Sequence, residues 1–262
     1  MPQHIIIEKK DKIGKIFFNN PKHFNPMTPD MMKEVKEAVD DLEADESIRV
    51  IIFTGKGKGF SSGADYNFMN KITKMSPTQI KNNVYAYFTG GIKAIKLCKK
   101  PTIAEVRGPA VGGGCELALA CDFRIVSETA LFKEAWVKLG LISPLGGMFL
   151  LPRLVGLAKA TEMFMLGKPV DGQEAERIGL ANKCVPDSRL EEETLALAAE
   201  LSTGAPLALS AIKEGLRRGM ESTLFTEWET NSFIQATLLS SNDFAEAVNA
   251  INESREAIFK GE

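Results

Sequence analysis

The sequence predicts an α/β body that gives way to an all-helical C-terminal region. Three observations carry that expectation. Apolar runs of strand length alternate with segments of helical periodicity, glycine-rich loops follow the strands, and from about Asp187 every segment has helical spacing with no strand among them. The 262 residues suffice for one large domain or a domain with a small appendage. The boundary falls at 190, with residues 1–190 as the body and 191–262 as the helical region. No linker separates the two, so the helices are expected to pack on the body or on a partner subunit.

The elements follow in order. IIIEK (5–9) and GKIFF (14–18), joined by a polar turn, read as a hairpin. Thr28 caps a helix with Pro29 at its first position, where no N–H is needed, and Met31, Val35, Ala38, Val39 and Leu42 share one face. RVIIFTG (49–55) is a continuous apolar run of the kind carried by strands buried on both faces. The glycine-rich GKGKGFSSGAD (55–65) is the loop after it. Residues 77–97 read as a helix, PTIAEVRG (101–108) as a strand and GPAVGGG (108–114) as a second glycine loop. CELALA then opens a helix and DFRIVS (122–127) is a further strand. SRLEEETLALAAELS, PLALSAIKEGLRRG, 221–240 and 243–260 are all helical.

Composition excludes several functions. Lys and Arg total 32 against 34 Asp and Glu, a net charge of −2, so no bulk positive field exists for nucleic acid or an anionic membrane. The only two histidines, His4 and His23, lie near the N-terminus. A Ser-His-Asp hydrolase of the α/β type needs its histidine after its serine, and a His-rich zinc site needs several. Proton transfer therefore falls to carboxylates. Cys98, Cys115, Cys121 and Cys184 form no CxxC pair and read as reduced thiols of a cytoplasmic protein. The N-terminal MPQHIIIEKKDK is too polar for a signal peptide, and no apolar run reaches the length of a membrane span.

Gly59-Phe60-Ser61-Ser62-Gly63 matches the GxSxG nucleophile elbow, but no histidine downstream can serve as its base. Gly55-Lys56-Gly57-Lys58-Gly59 is out of step with a dinucleotide fingerprint and lacks the ending of a P-loop. A different use of the two glycine loops makes physical sense. Glycine removes the Cβ wall, and free N–H groups at a helix start favour negative charge. One N–H from SSGAD and one from VGGG can converge on a carbonyl oxygen as it becomes an enolate, forming an oxyanion hole. Glu116 stands one turn into the helix that the second loop opens, among Cys115, Leu117, Ala118, Leu119 and Ala120. A carboxylate is costly to bury there unless it is used or paired, and burial raises its pKa toward the range of a general acid or base.

These residues together resemble the crotonase superfamily, the enoyl-CoA hydratases and isomerases. The resemblance is carried by PTIAEVRGPAVGGGCELALACDFRIVSETALF, NNPKHFN (19–25), GKGFSSGAD (57–65), LGLISPLGG (139–147), the run 151–186 and the C-terminal EAIFK, and covers essentially the whole chain. It implies a crotonase-like spiral of repeated ββα units and a helical C-terminal region that forms a homotrimer or a dimer of trimers. It also implies an acyl-CoA thioester as ligand and no metal or redox cofactor. By position the oxyanion amides are those of Ala64 and Gly113, and Glu116 falls on the first catalytic glutamate of the hydratases. Ser62, Gly63, Asp65, Tyr66 and Gly112 belong to the substrate-facing loops. Lys22 and His23 match a loop that contacts CoA in relatives, and Phe259 and Lys260 match residues that reach the CoA of a neighbouring subunit.

One position departs from the family pattern. Two-glutamate hydratases carry a second acid in a stretch resembling F-x-x-P-E-x-x-x-G, and here Trp136 stands in the acid's place. Glu134 is two residues earlier. It is roughly 7 Å away if the segment is extended and about 200° around if it is helical, so neither geometry replaces the acid without a shift of the loop. Glu116 is then expected to work alone, in hydration of an enoyl-CoA with or without cleavage. Double-bond isomerisation and thioester hydrolysis or decarboxylation are the alternatives, and an RNA-binding or scaffold relative is the non-enzymatic one. Tyr66, Tyr85 and Tyr87, with Phe68, Phe88 and Trp136, are expected to wall an aromatic acyl pocket. The small basic patches Lys96/Lys99/Lys100 and Arg217/Arg218 read as solvated surface or CoA contacts.

Overall fold

The computed structural model describes residues 4–262; Met1–Gln3, at the start of the stretch read above for a leader, lie outside them. The chain runs β1 (Ile5–Lys10), β2 (Ile13–Phe18), α1 (Pro29–Ala44), β3 (Val50–Gly55), α2 (Tyr66–Ile72), α3 (Pro77–Ile80), α4 (Ala86–Leu97), β4 (Thr102–Val106), β5 (Pro109–Val111) and α5 (Gly113–Ala120). It continues through β6 (Phe123–Ser127), β7 (Leu131–Lys133), α6 (Gly147–Val155), α7 (Leu157–Leu166), β8 (Val170–Asp171), α8 (Gly172–Arg177) and β9 (Lys183–Val185). Four helices close the chain: α9 (Leu190–Thr203), α10 (Pro206–Gly219), α11 (Leu224–Leu239) and α12 (Asn242–Glu253).

The hairpin β1–β2 forms as expected, turned by Asp11 and Lys12 at φ +48° and +67°. From β2 onward the six-stranded sheet is parallel, in the order β1-β2-β3-β4-β6-β9. Its strands alternate between two cores, because successive side chains leave opposite faces. Ile51 and Phe53 of β3 join Ile16, Phe18 and the apolar faces of α1, α4 and α5. Val50 and Ile52 join Ile13, Ile103 and Ile125 against Leu190 and Ala198 of α9. The unbroken apolar run of β3 is thus the signature of burial on both sides. The second face is closed by α9, a helix that starts at the boundary at 190 and runs into the C-terminal region. Thr28 caps α1 by accepting from the Met31 amide at 3.2 Å, as its position predicts.

The second sheet corrects the sequence reading. Pro109–Val111, expected as loop, is a short strand parallel to β7, and β7 pairs antiparallel with β8. At the C-terminal ends of β5 and β7, just ahead of Glu134, the Gly112 amide donates to the Lys133 carbonyl at 2.8 Å. No single helix among the described residues is long and apolar enough to cross a membrane.

Candidate active site

The two glycine loops meet. Gly63 has φ +84°, and a Cβ there would lie 2.5 Å from the Val111 carbonyl oxygen and 3.7 Å from the Gly113 nitrogen, so only glycine permits the approach. The first loop is tied to the N-terminal segment by the Met27 amide, which donates to the Gly63 carbonyl at 2.7 Å, and by the Asp65 amide, which donates to the Met27 carbonyl at 3.0 Å. Gly113 opens α5, so its N–H has no carbonyl inside the helix to reach. Ala64 and Gly113 line one cleft of about 90 Å³ with Gly112, Met69 and Trp136.

Glu116 is fully buried on α5, one turn behind that cleft. Its Oε2 accepts from the amides of Leu145 and Gly147, each at 2.8 Å, while its Oε1 has no partner in the protein. Gly147 is the first residue of α6, so the carboxylate also sits at the positive end of that helix. Burial nevertheless prevails and raises the Glu116 pKa. The Gly147 amide, Ser143, the Leu145 amide and Trp136 work in the opposite direction.

The buried side-chain polar atoms without partners among the described residues are Glu116 Oε1, both oxygens of Glu134, Trp136 Nε1 and Ser143 Oγ. All four residues belong to one neighbourhood, since Ser143 and Trp136 act on the Glu116 carboxyl and Trp136 and Glu116 act on Glu134. Proteins rarely leave such atoms unpaired, and sites of chemistry are where they do. The Trp136 ring packs on the second loop, 3.5 Å from where a Gly112 Cβ would stand. Glu134 does not occupy the Trp136 position. It leaves the end of β7 and turns inward, fully buried, toward Cys115 and Glu116. Sequence reasoning did not single out Ser143 or the Leu145 and Gly147 amides. The only hint was the LISPLGG run, whose glycines bring the backbone up to the carboxylate.

Beside the cleft lies a larger apolar cavity of about 680 Å³, lined by Ala64, Tyr66, Phe68, Ile80, Val84, Tyr85, Phe88, Trp136 and Leu145 among others. A π turn at Lys81–Tyr85, between α3 and α4, sets Tyr85 in that wall. Burial and the charge of Glu116 raise the Tyr85 pKa, which places its phenol in the electrostatic reach of the glutamate. Phe68 and Phe88 stack with centroids 6.3 Å apart. Tyr87 is not among the lining residues and is exposed, so of the three tyrosines two wall the cavity.

Of the remaining expected residues, Lys22 and His23 form an exposed turn beside the first loop, where the Ser62 hydroxyl donates to the His23 carbonyl at 3.0 Å. Asn25, overlooked in the sequence, staples that turn in place. Its side chain donates to the carbonyls of Lys56 at 3.1 Å and Gly59 at 2.7 Å, and accepts from the Asn20 amide at 2.8 Å. The Asp65 carboxylate caps α2 by accepting from the Phe68 amide at 2.8 Å. Within one chain Phe259 and Lys260 are not brought to the cleft: the Lys260 amide donates to Asp243 at 2.7 Å, and Arg49 donates to the Lys260 carbonyl at 3.1 Å. Ser61, centre of the GxSxG match, is buried and donates to the Asn25 carbonyl at 2.8 Å, a structural role.

Comparison with known proteins gives the family and the fold. The sequence model of the enoyl-CoA hydratase/isomerase family matches residues 8–262. A crotonyl-CoA hydratase of Syntrophomonas wolfei is 33% identical over 98% of this chain and 98% of its own. A short-chain-enoyl-CoA hydratase of Clostridium acetobutylicum is 33% identical over 97% and 96%. The crystal structure of an enoyl-CoA hydratase from Bacillus anthracis superposes with a TM-score of 0.93 at 29% identity, covering 99% of this chain and 100% of that one. The chain belongs to the enoyl-CoA hydratase/isomerase family and has its crotonase fold.

Proposed function

We propose that this protein hydrates an enoyl-CoA thioester with Glu116 as its one acid/base, without a cofactor beyond the CoA of the substrate. The observation that carries this reading is the Glu116 carboxylate, anchored through Oε2 and unpaired at Oε1, beside a cleft lined by two convergent loops. The amides of Ala64 and Gly113 hold the thioester oxygen as it becomes an enolate. Glu116 Oε1 takes a proton from water as the water oxygen bonds to Cβ, and a proton then passes from Glu116 to Cα. The unpaired Trp136 N–H donates to the water oxygen, so the tryptophan orients the water but exchanges no proton. The product is the 3-hydroxyacyl-CoA ester.

The cavity of about 680 Å³ supports an acyl group bulkier than crotonyl, with Tyr66 and Tyr85 at its wall. Lys22 and His23 are assigned to the CoA moiety, and Phe259 and Lys260 to the CoA of a neighbouring subunit. Exposed apolar side chains on the C-terminal helices, Ile212, Leu216, Phe225, Trp228, Phe233 and Ile251, support a trimer or a dimer of trimers. The free thiols suit the cytoplasm. The test is a turnover screen of straight-chain, branched and aromatic enoyl-CoA esters. Loss of the conjugated enoyl absorbance with formation of 3-hydroxyacyl-CoA is expected. A shifted double bond, or free CoA, as the sole product overturns hydration.

A further inference from the structure

Glu134 is the buried carboxyl beside Glu116 that the reaction written above leaves unused. It is fully buried, and neither carboxyl oxygen has a partner in the protein. The groups facing this carboxyl and Glu116 are the Cys115 thiol from α5, the Trp136 indole, the Tyr85 phenol from the π turn, and Ser143 with the Leu145 and Gly147 amides from the approach to α6. None is a cation. Two carboxyls in one dry neighbourhood without a cation resist carrying two negative charges together, which favours the proton staying on one of them. Anchoring decides which group carries it. Glu116 accepts two amide hydrogen bonds that favour its anion, and Glu134 accepts none.

We propose that Glu134 is a positioning residue of this site: it carries the one proton of a buried Glu134–Glu116 pair and so keeps Glu116 the anion that accepts a proton from water. Burial first, and then the charge of Glu116, push the Glu134 pKa up to about 8, in keeping with a carboxyl that stays neutral at pH 7. The proton remains on Glu134 through the cycle. Glu116 gains one from water and gives one to Cα, and the pair ends with the single proton it began with. The inference rests on the hydration reading for what Glu116 does with its free oxygen, whereas the retained proton is a property of the protein without substrate.

Glu134→Gln keeps the size and fixes the neutral form. The first readout is kcat against pH. Wild-type turnover falls roughly tenfold per unit above about pH 8, as a second negative charge opposes the enolate, and in Glu134→Gln this limb disappears. The second readout is Tm against pH without substrate. A carboxyl whose pKa is raised on folding confers stability below its ordinary 4.5 that is lost as pH rises to about 8. The Tm of Glu134→Gln relative to wild type should therefore climb across that window and then level. In a Glu116→Gln background the climb should end at a lower pH, because the neighbouring charge is gone. A basic limb unchanged in Glu134→Gln, a flat Tm difference, or a climb indifferent to Glu116→Gln each overturns the proposal. If the coupled Tm signature appears while no ester is hydrated, the shared proton stands and the hydration reading fails.

Discussion

One carboxylate oxygen of Glu116 lies 2.8 Å from the amide nitrogen of Gly147, and this contact divides the carboxylate into an anchored oxygen and a free one. The division has chemical value. The anchored oxygen fixes the angle at which the free oxygen meets its partner, and the helix end that supplies the amide partly offsets the cost of burying the charge.

Gly147 is also where that geometry is most easily disturbed. A Cβ added there would stand 3.1 Å from both Cγ and Oε2 of Glu116 and would press on Ser143 Oγ. Gly147→Ala is expected to lower kcat about a hundredfold by misplacing the carboxylate, with a small change in Tm. Steady-state kinetics beside a thermal melt separate the two effects, and an unchanged kcat contradicts the anchoring role.

Trp136 bears on the same water. Trp136→Phe removes its N–H and keeps most of the ring that packs against Gly112. Turnover should drop roughly tenfold, the worth of about one hydrogen bond, while acyl-CoA affinity stays within a few-fold. Equal kcat values for the two proteins would leave the indole as packing alone.

The acyl cavity makes a prediction about size. Ile80 lines it and is only half-buried, so Ile80→Trp can fill space there without opening the core. Relative to crotonyl-CoA, kcat/KM for long or ring-bearing esters should fall at least about tenfold, since the lost apolar contact is worth on the order of 1–3 kcal/mol. A variant that discriminates no better than wild type would move the acyl group elsewhere.

The exposed apolar face on α11 should be covered in solution. Phe225 is 71% exposed and Phe233 75% in the single chain. Phe225→Glu should convert the sedimentation profile from trimer or hexamer to monomer with little loss of helix content. A wild-type protein that sediments as a monomer contradicts the assembly outright.

Much of this was legible in the sequence because local pattern and global role agree. The β1–β2 hairpin, the Thr28 cap, β3 and the glycine loops each announce themselves by period, cap or glycine, and Glu116 by standing as a carboxylate in an apolar helix. Pro109–Val111 does not show as a strand in the sequence because three residues are too few for alternation, and the strand exists only through pairing with β7. The inward turn of Glu134 was hidden for a related reason. The segment is neither extended nor α-helical throughout: it passes from the end of β7 into a tight turn at Trp136–Leu139. The amides that hold Glu116 carry no side-chain signal beyond the glycines of LISPLGG, so their hydrogen bonds to it emerge only in three dimensions.

The central claim is that the free oxygen of Glu116 moves the proton. Glu116→Gln preserves the shape of the side chain and removes its basicity, so kcat for the best enoyl-CoA ester in the screen, measured beside acyl-CoA affinity by titration, tests it directly. A loss of about 10²–10⁴ in kcat with affinity within a few-fold of wild type is expected. Turnover at the wild-type rate would contradict it.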